Sequence, residues 1–126
     1  VLRSPNAEEA TRVSFCRESG VLDRDARHRK VPMSVITVDT TRSSELAEAL
    51  SRPPESAPVY LGPGELLHLH VFVDRSVVEV FVNGRQCISQ RVYPGRADSD
   101  LVSIRAQGTD IAVVQLDAWR MNSVYE

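Results

Sequence analysis

The stretch "HLHVFVDRSVVEVFVNGR", residues 68–85, decides the fold, because its side chains alternate in character on both sides of a short break. A period of two residues is typical of a β-strand with one buried face. With Arg75-Ser76 as a two-residue turn, Asp74 pairs with Val77 and the flanking residues pair in order. The stretch therefore predicts an antiparallel hairpin.

One face of this predicted hairpin is wholly aliphatic. It carries Leu67, Leu69, Val71, Val73, Val78, Val80 and Val82. Burying these side chains would contribute on the order of 10 kcal/mol before entropy is counted. A slip of one residue would expose all of them, so the register is strongly specified and this face is predicted to be the core side.

The opposite face mixes aromatic, basic and acidic groups: His68, His70, Phe72, Asp74, Glu79, Phe81 and Asn83. A sheet face that meets only solvent seldom carries two phenylalanines. We therefore predict a docking face formed by His68, His70, Phe72 and Phe81. The histidines lack a third ligand at zinc spacing, so neither a metal site nor a cofactor is expected.

The "NGR" sequence at 83–85 fits either a two-residue turn or a three-residue turn with a glycine bulge. The tight turn would place Cys87, Ser89 and Arg91 on the aliphatic face. The three-residue turn is preferred, because it keeps Ile88 and Val92 on that face.

The first half of the chain predicts strands at 11–17 and 31–39, where apolar and β-branched residues alternate or cluster. Ser19-Gly20 is predicted to turn the chain into a further short strand, "VLDRD", and Pro32 is confined to a strand start or an edge. The basic run 24–30 is interpreted as a solvated loop, with a substrate-facing role as the alternative.

Between these strands and the hairpin, Ser44 is a plausible N-cap for one or two helical turns that would end before Pro53. The "RPPESAP" sequence, 52–58, predicts a loop, and "GPG" at 62–64 predicts a second break.

From residue 66 onward the chain is continuously strand-like. The predicted strands are 66–74, 77–83, 86–93 and a final pair at 101–106 and 110–119. Trp119, in the alternating last strand, is expected in the core. Short strands separated by turn signals predict an all-β, antiparallel two-sheet β-sandwich that occupies 1–126 as a single domain.

Composition narrows the function. The chain has 126 residues and a net charge of about −2, so nucleic acid is not an expected partner. No apolar run could cross a bilayer, and no signal-peptide pattern is present, so no membrane partner is expected. The start at Val1 suggests a piece of a longer polypeptide, which leaves the compartment unknown.

The two cysteines, Cys16 and Cys87, permit one disulfide at most. Both lie in predicted strands, where a buried free thiol is the commoner outcome. We therefore favour two free, buried thiols over a pair.

The stretch "LHLHVFVDRSVVEVFVNGRQCISQRVYP" resembles the signature of the C-terminal β-sandwich of glycoside hydrolase family 32, which includes invertases, inulinases and levanases. "LRSPNAEEATRVSF", "ESGVLDRD" and "SDLVSIRAQGTDIAVVQLDAWRM" resemble its earlier and closing strands. The resemblance implies a lectin-like, concanavalin-like jelly roll, with first strands that would precede Val1, packed behind a five-bladed catalytic propeller.

The resemblance also implies where the chemistry lies. The family's catalytic carboxylates stand in Trp-x-Asn-Asp-Pro, Arg-Asp-Pro and Glu-Cys motifs, and none of these occurs here. "WRMN" at 119–122 continues into Ser123 without Asp-Pro. The chain therefore carries no predicted catalytic residue and is expected to be inactive alone.

Asp74, Arg75 and Glu79 have two interpretations. Turn chemistry is favoured, with Asp74 accepting backbone N–H groups and Arg75 pairing with either carboxylate. Carbohydrate binding is the alternative, because carboxylate and guanidinium groups beside an aromatic face suit sugar hydroxyls and ring carbons.

Three functions remain open. The first is an accessory module of a fructan- or sucrose-hydrolysing glycosidase, docked on the propeller of the same polypeptide, with a homodimer contact as a possible additional role. The second is a stand-alone module that binds fructan or fructose ends. The third is an interaction domain without a sugar role. Preference among sucrose, inulin and levan is not encoded in these residues.

Overall fold

The computed structural model describes residues 1–24 and 27–123, and it shows two antiparallel β-sheets that share one core. The strands are β1 (Leu2–Arg3), β2 (Ala10–Arg24), β3 (Lys30–Arg42), β4 (Glu55–Val59), β5 (Leu69–Asp74), β6 (Val77–Val82), β7 (Gln86–Arg91) and β8 (Leu101–Val102). One sheet has the order β4-β3-β2-β1-β8 and the other β5-β6-β7. The predicted all-β sandwich is confirmed. In the described part of the chain, no helix of membrane-spanning length and hydropathy is found.

The core forms where the two sheets face each other. Its buried members come from both sheets: Ile36, Val38, Val59, Val78, Val80, Val82, Ile88 and Val92. Strand β7 packs over β4 and β3, and β6 separates it from β5 at the far edge of its sheet. Alternating β-branched residues on β3 and β6 supply this interior, as is typical of packed sheets.

The central hairpin has the predicted register. Asp74 pairs with Val77 across the Arg75-Ser76 connection, and Val71 pairs with Val80. Arg75 has a positive φ of 49°, the left-handed conformation that a tight hairpin connection uses. The aliphatic face is only half covered, however: the β6 side chains are fully buried, whereas Leu69, Val71 and Val73 on β5 are 39%, 42% and 47% exposed.

The connection after β6 contains three residues, as predicted. Val82 pairs with Gln86, and the Arg85 N–H donates to the Val82 carbonyl. Asn83 and Gly84 both adopt positive φ, at 50° and 63°, and Arg85 is the additional residue. The consequence is the predicted one, because Ile88 and Val92 are buried on the aliphatic face.

The predicted turn at Ser19-Gly20 is wrong. Strand β2 continues through it, and both halves pair with β3, with a register shift between Cys16 and Val21. Positive φ angles at Glu18 and Gly20 absorb the extra residues, so the signal marks a bulge rather than a reversal. Residues 25–26, at the end of the predicted short strand and within the basic run, lie outside the described residues.

Two further predictions, both for the stretch of chain between β3 and β5, are wrong. The region after Ser44 is not helical. It contains a single turn in which the Ala49 N–H donates to the Leu46 carbonyl, while the Ser44 hydroxyl accepts the Leu46 N–H. The supposed loop 52–58 contains most of β4, where Pro58 is tolerated because β4 is an edge strand.

The C-terminal strands differ most from expectation. Among the described residues after β7, only Leu101–Val102 forms a strand, and residues 104–123 lie outside both sheets and are exposed. Trp119, predicted to be in the core, is 79% exposed. Alternation alone predicts a strand, but a strand also needs a neighbour to pair with.

The cysteine prediction is half right. Cys16 and Cys87 are both free, as favoured, but both are exposed rather than buried. Their side chains alternate with the partly buried Phe15 and the buried Ile88, so they point away from the core.

Candidate functional site

A groove lies on the outer face of the β5–β6 hairpin. Its volume is about 510 Å³, and it is lined by Glu65, His68, His70, Phe72, Phe81, Asn83 and Gly84. All four residues of the predicted docking face, His68, His70, Phe72 and Phe81, line it. The structure therefore brings these side chains together on one surface.

The floor of the groove is aromatic. Phe72 and Phe81 pack edge to face, with ring centroids 5.8 Å apart and an interplanar angle of 89°. Such a pair holds both rings in defined orientations. Phe72 is 43% exposed, so part of a large apolar ring faces outward beside two imidazoles.

One end of the groove is fixed by Asn83. Its side-chain amide donates to the Leu66 carbonyl at 2.9 Å and to Glu65 at 3.1 Å, and its side-chain oxygen accepts the His68 N–H. Asn83 also sits at the left-handed position of the turn after β6. The "NG" sequence predicted this turn. It did not predict that the Asn83 side chain holds the segment that leads into β5.

Glu65 and Arg85 extend this anchor. The guanidinium lies 2.7 Å from the carboxylate, and it also donates to the Tyr60 carbonyl. The hydrogen bond from Arg85, assisted by the Gly62 N–H, lowers the pKa of Glu65 to about 2. Glu65 is thus an ionised structural acceptor, a role that sequence reasoning missed.

The predicted sugar-binding residues occupy an open surface. Asp74 and Arg75 are exposed, and neither makes the predicted turn contacts with the other or with Glu79 among the described residues. Glu79 instead accepts a hydrogen bond from Ser89 on β7 at 3.0 Å, and the Ser76 hydroxyl accepts one from Arg91. The favoured interpretation, turn chemistry, is therefore wrong for the contacts of Asp74 and Arg75, and both side chains are exposed to solvent.

A second polar centre surrounds Glu9, which is only 1% exposed. Its carboxylate accepts the N–H groups of Glu45, Gly95 and Arg96 and the hydroxyl of Ser99. Burial acts to raise the pKa of Glu9, but these hydrogen bonds outweigh burial and leave the pKa below its ordinary value.

Arg96 lies beside this centre and contacts Glu8, Glu45 and Asp98. Its hydrogen bonds to Asp98 raise its own pKa and lower that of the carboxyl group. The Glu9 centre therefore joins three loops by structural contacts and offers no free group for chemistry.

A second hollow, of about 550 Å³, lies beside the first residues of β3. It is lined by Glu18, Arg29, Lys30, Val31, Pro32, Tyr60, Leu61 and Pro63. Two residues of the basic run, Arg29 and Lys30, thus border a cavity. Across the described ranges 1–24 and 27–123, no cluster of His, Cys, Asp or Glu has the arrangement needed to hold a metal ion.

Comparison with known proteins bears on these surfaces. The family model described as "Glycosyl hydrolases family 32 C terminal" matches residues 1–120. The chain belongs to this family. The match covers both sheets, the groove on the outer face of β5–β6 and most of the exposed segment after β8, so the resemblance inferred from the hairpin extends over nearly the whole chain.

The relatives with which the family 32 chain aligns are much longer. The β-fructofuranosidase insoluble isoenzyme CWINV1 of Arabidopsis thaliana is 35% identical over 127 residues, which is 98% of this chain and 21% of that protein. Fructan 6-exohydrolase of Triticum aestivum is 32% identical over 96% of this chain and 20% of its own length. The chain thus spans about a fifth of these relatives.

A solved structure supports the fold. The crystal structure of fructan 1-exohydrolase IIa from Cichorium intybus with 1-kestose aligns with a TM-score of 0.56 and 23% identity, over 75% of this family 32 chain and 16% of that protein. At this identity the comparison shows the β-sandwich fold.

Proposed function

We propose that this chain is the non-catalytic accessory module of a fructan- or sucrose-hydrolysing glycosidase, and that it stabilises and docks on a five-bladed propeller catalytic domain. The observation that carries the proposal is the groove on the outer face of β5–β6, where Phe72 and Phe81 are presented beside His68 and His70. Apolar surface with polar neighbours is the composition of a domain contact.

The relatives support the same interpretation. Each aligned region is about a fifth of a longer protein named as a β-fructofuranosidase or fructan exohydrolase. The residues that the family uses for catalysis are missing from this sequence, so a separate part must supply them. An accessory domain needs a fixed contact surface, and the Asn83–Glu65–Arg85 anchor holds one end of the groove in place.

Co-expression tests this docking. The chain is produced together with the catalytic region of the Arabidopsis relative, and the complex is isolated through a tag on that region. We expect the wild-type chain to co-purify, Phe72→Asp to be lost from the complex, and Leu50→Asp to be retained, because Leu50 is an exposed leucine far from the groove in the sequence. Equal retention of both variants would contradict docking through the groove.

A stand-alone sugar-binding module is the second candidate, and the exposure of Asp74 and Arg75 near Phe72 favours it over a generic interaction domain. Calorimetric titration with levan, inulin, sucrose and fructose separates the two. Heat of binding that disappears in Asp74→Ala and Glu79→Ala variants would support this candidate. The accessory proposal predicts no binding heat at millimolar sugar.

A further inference from the structure

The turn after β6 contains the one Asn-Gly pair of the sequence, Asn83-Gly84. Asparagine before glycine is chemically labile, because glycine has no side chain to hinder attack by its backbone nitrogen. That nitrogen attacks the side-chain carbonyl carbon of the asparagine, a ring closes, and ammonia leaves with the proton that the nitrogen loses. Water then opens the ring at either of its carbonyl groups. The products are aspartate and isoaspartate, so the sequence marks Asn83 as a candidate site of modification.

The surroundings of Gly84 leave room for this reaction. Gly84 is exposed, and among the described residues no atom beyond its chain neighbours lies within 4 Å of the position that a Cβ would occupy. Asn83 itself is half-buried. Water therefore reaches the glycine side of the peptide, and the obstacle to ring closure lies at the asparagine.

The folded turn opposes ring closure through the Asn83 amide. Its oxygen accepts the His68 N–H, and its NH₂ group donates to the Leu66 carbonyl at 2.9 Å and to Glu65 at 3.1 Å. All three partners lie in the segment before β5, and we call this set of contacts the Asn83 junction. The amide must rotate to present its carbon to the Gly84 nitrogen, and the rotation breaks these bonds. Ring closure therefore requires local opening of the junction.

The product cannot rebuild the Asn83 junction. Deamidation replaces the NH₂ group by an oxygen, so both donated hydrogen bonds are lost. The new carboxylate would face the Leu66 carbonyl and the carboxylate of Glu65, whose pKa is lowered to about 2, and like charges repel. Isoaspartate also lengthens the backbone of a connection in which Val82 pairs with Gln86. The reaction thus makes a transient opening permanent.

We propose that Asn83-Gly84 is a latent deamidation site, which the closed Asn83 junction keeps unreactive and which converts chains whose junction has opened into a form that cannot close it again. One end of the groove on β5–β6 would lose its anchor in the converted chains. The inference stands apart from the proposed function, because it concerns chemistry within the chain 1–126 and needs no docked partner.

Peptide mass spectrometry of the chain, incubated in mildly alkaline buffer, tests the protection. Asn122-Ser123 serves as the internal reference, because Asn122 is exposed and lies outside both sheets. We expect Asn83 to deamidate more slowly than Asn122 in the folded chain, and at least about tenfold faster in urea than in the folded chain. Deamidation of Asn83 at the same rate in both conditions would overturn the proposal.

A matched pair of variants tests the Asn83 junction itself. Glu65→Ala removes an acceptor of the Asn83 amide, and Glu48→Ala removes an exposed carboxylate elsewhere. We expect Glu65→Ala to speed deamidation of Asn83 at least about fivefold while the β6 amides stay protected from hydrogen exchange. Glu48→Ala should leave the rate unchanged. Equal rates in the two variants, or a gain that appears only when β6 protection is also lost, would overturn control by the junction.

A second pair tests the effect of the product. Asn83→Asp reproduces one product and should lower the urea midpoint of the chain. Asn6→Asp is the control, because the Asn6 side-chain oxygen accepts hydrogen bonds from Ser4 and Glu8 that an aspartate can also accept. We expect its midpoint to stay near that of the wild-type chain. Equal midpoints for both variants would contradict the claim that the product cannot rebuild the Asn83 junction.

Discussion

The Glu65 carboxylate lies 2.7 Å from the Arg85 guanidinium, and this ion pair joins the loop before β5 to the turn after β6. Asn83 closes the same junction by donating to Glu65 and to the Leu66 carbonyl. The two strands that carry the docking groove are thus held together at one end by side chains as well as by the sheet. That end of the groove is consequently fixed by Glu65, Asn83 and Arg85.

Stability should fall in acid partly through Glu65. Its pKa is lowered to about 2 in the folded chain, so its stabilisation is present above the unfolded value near 4.5 and is lost as the pH falls toward 2. We expect Glu65→Gln to flatten the dependence of the urea midpoint on pH in this window. Glu48→Gln, which removes an exposed carboxylate, is the control and should leave the slope unchanged.

Substitution of Glu9 should lower the free energy of unfolding far more than substitution of Glu8. Glu9→Gln replaces an acceptor of four hydrogen bonds by an amide whose NH₂ group meets donors, so we expect a loss of about 2 kcal/mol in the free energy of unfolding. Glu8→Gln removes only a surface contact with Arg96 and should cost less than about 1 kcal/mol. Urea denaturation measures both, and similar losses would contradict the assignment of Glu9 as the centre that joins the loops.

Asn83→Ala tests the turn that anchors the groove. The variant loses three side-chain hydrogen bonds and places alanine at a positive φ, so we expect a loss of about 2 kcal/mol. Asn83→Gly keeps the turn conformation and isolates the hydrogen bonds. If Asn83→Gly were as stable as the wild-type chain, the amide contacts would contribute nothing.

The isolated chain should not release fructose from sucrose. Asp74 and Glu79 lie on an open sheet face, whereas a retaining glycosidase needs two carboxyl groups about 5 Å apart across a bound sugar. The assay compares the chain with the Arabidopsis relative as the positive control. Hydrolysis that disappears in Asp74→Asn or Glu79→Gln would show a catalytic site in the sandwich itself.

The parts of the fold that could be predicted are those set by local alternation and turn chemistry. The β5–β6 register followed from the aliphatic face, and the choice of a three-residue connection followed from where Ile88 must point. The Ser19-Gly20 signal misled because glycine serves bulges as well as turns. The core position predicted for Trp119 was wrong, because alternation shows which face of a segment is apolar but not whether another strand covers that face.

The residues of the candidate site also fall into those that the sequence could predict and those that it could not. The shared surface of His68, His70, Phe72 and Phe81 was predicted, because one strand period places them on one face. Glu9 was missed, since its partners Gly95 and Arg96 are more than eighty residues away in sequence and no periodic pattern links such loops. The three-dimensional structure is needed for contacts of that kind.

The central claim is tested most directly by a chimera in which this chain replaces the family 32 C-terminal region of the Arabidopsis β-fructofuranosidase. The account predicts that the chimera hydrolyses sucrose. It also predicts that Phe72→Asp lowers the melting temperature of the chimera by several degrees beyond its effect on the isolated chain, while Leu50→Asp does not. A chimera whose melting temperature responds equally to both substitutions, or one that is active without any contact from the groove, would contradict docking of this sandwich on the catalytic domain.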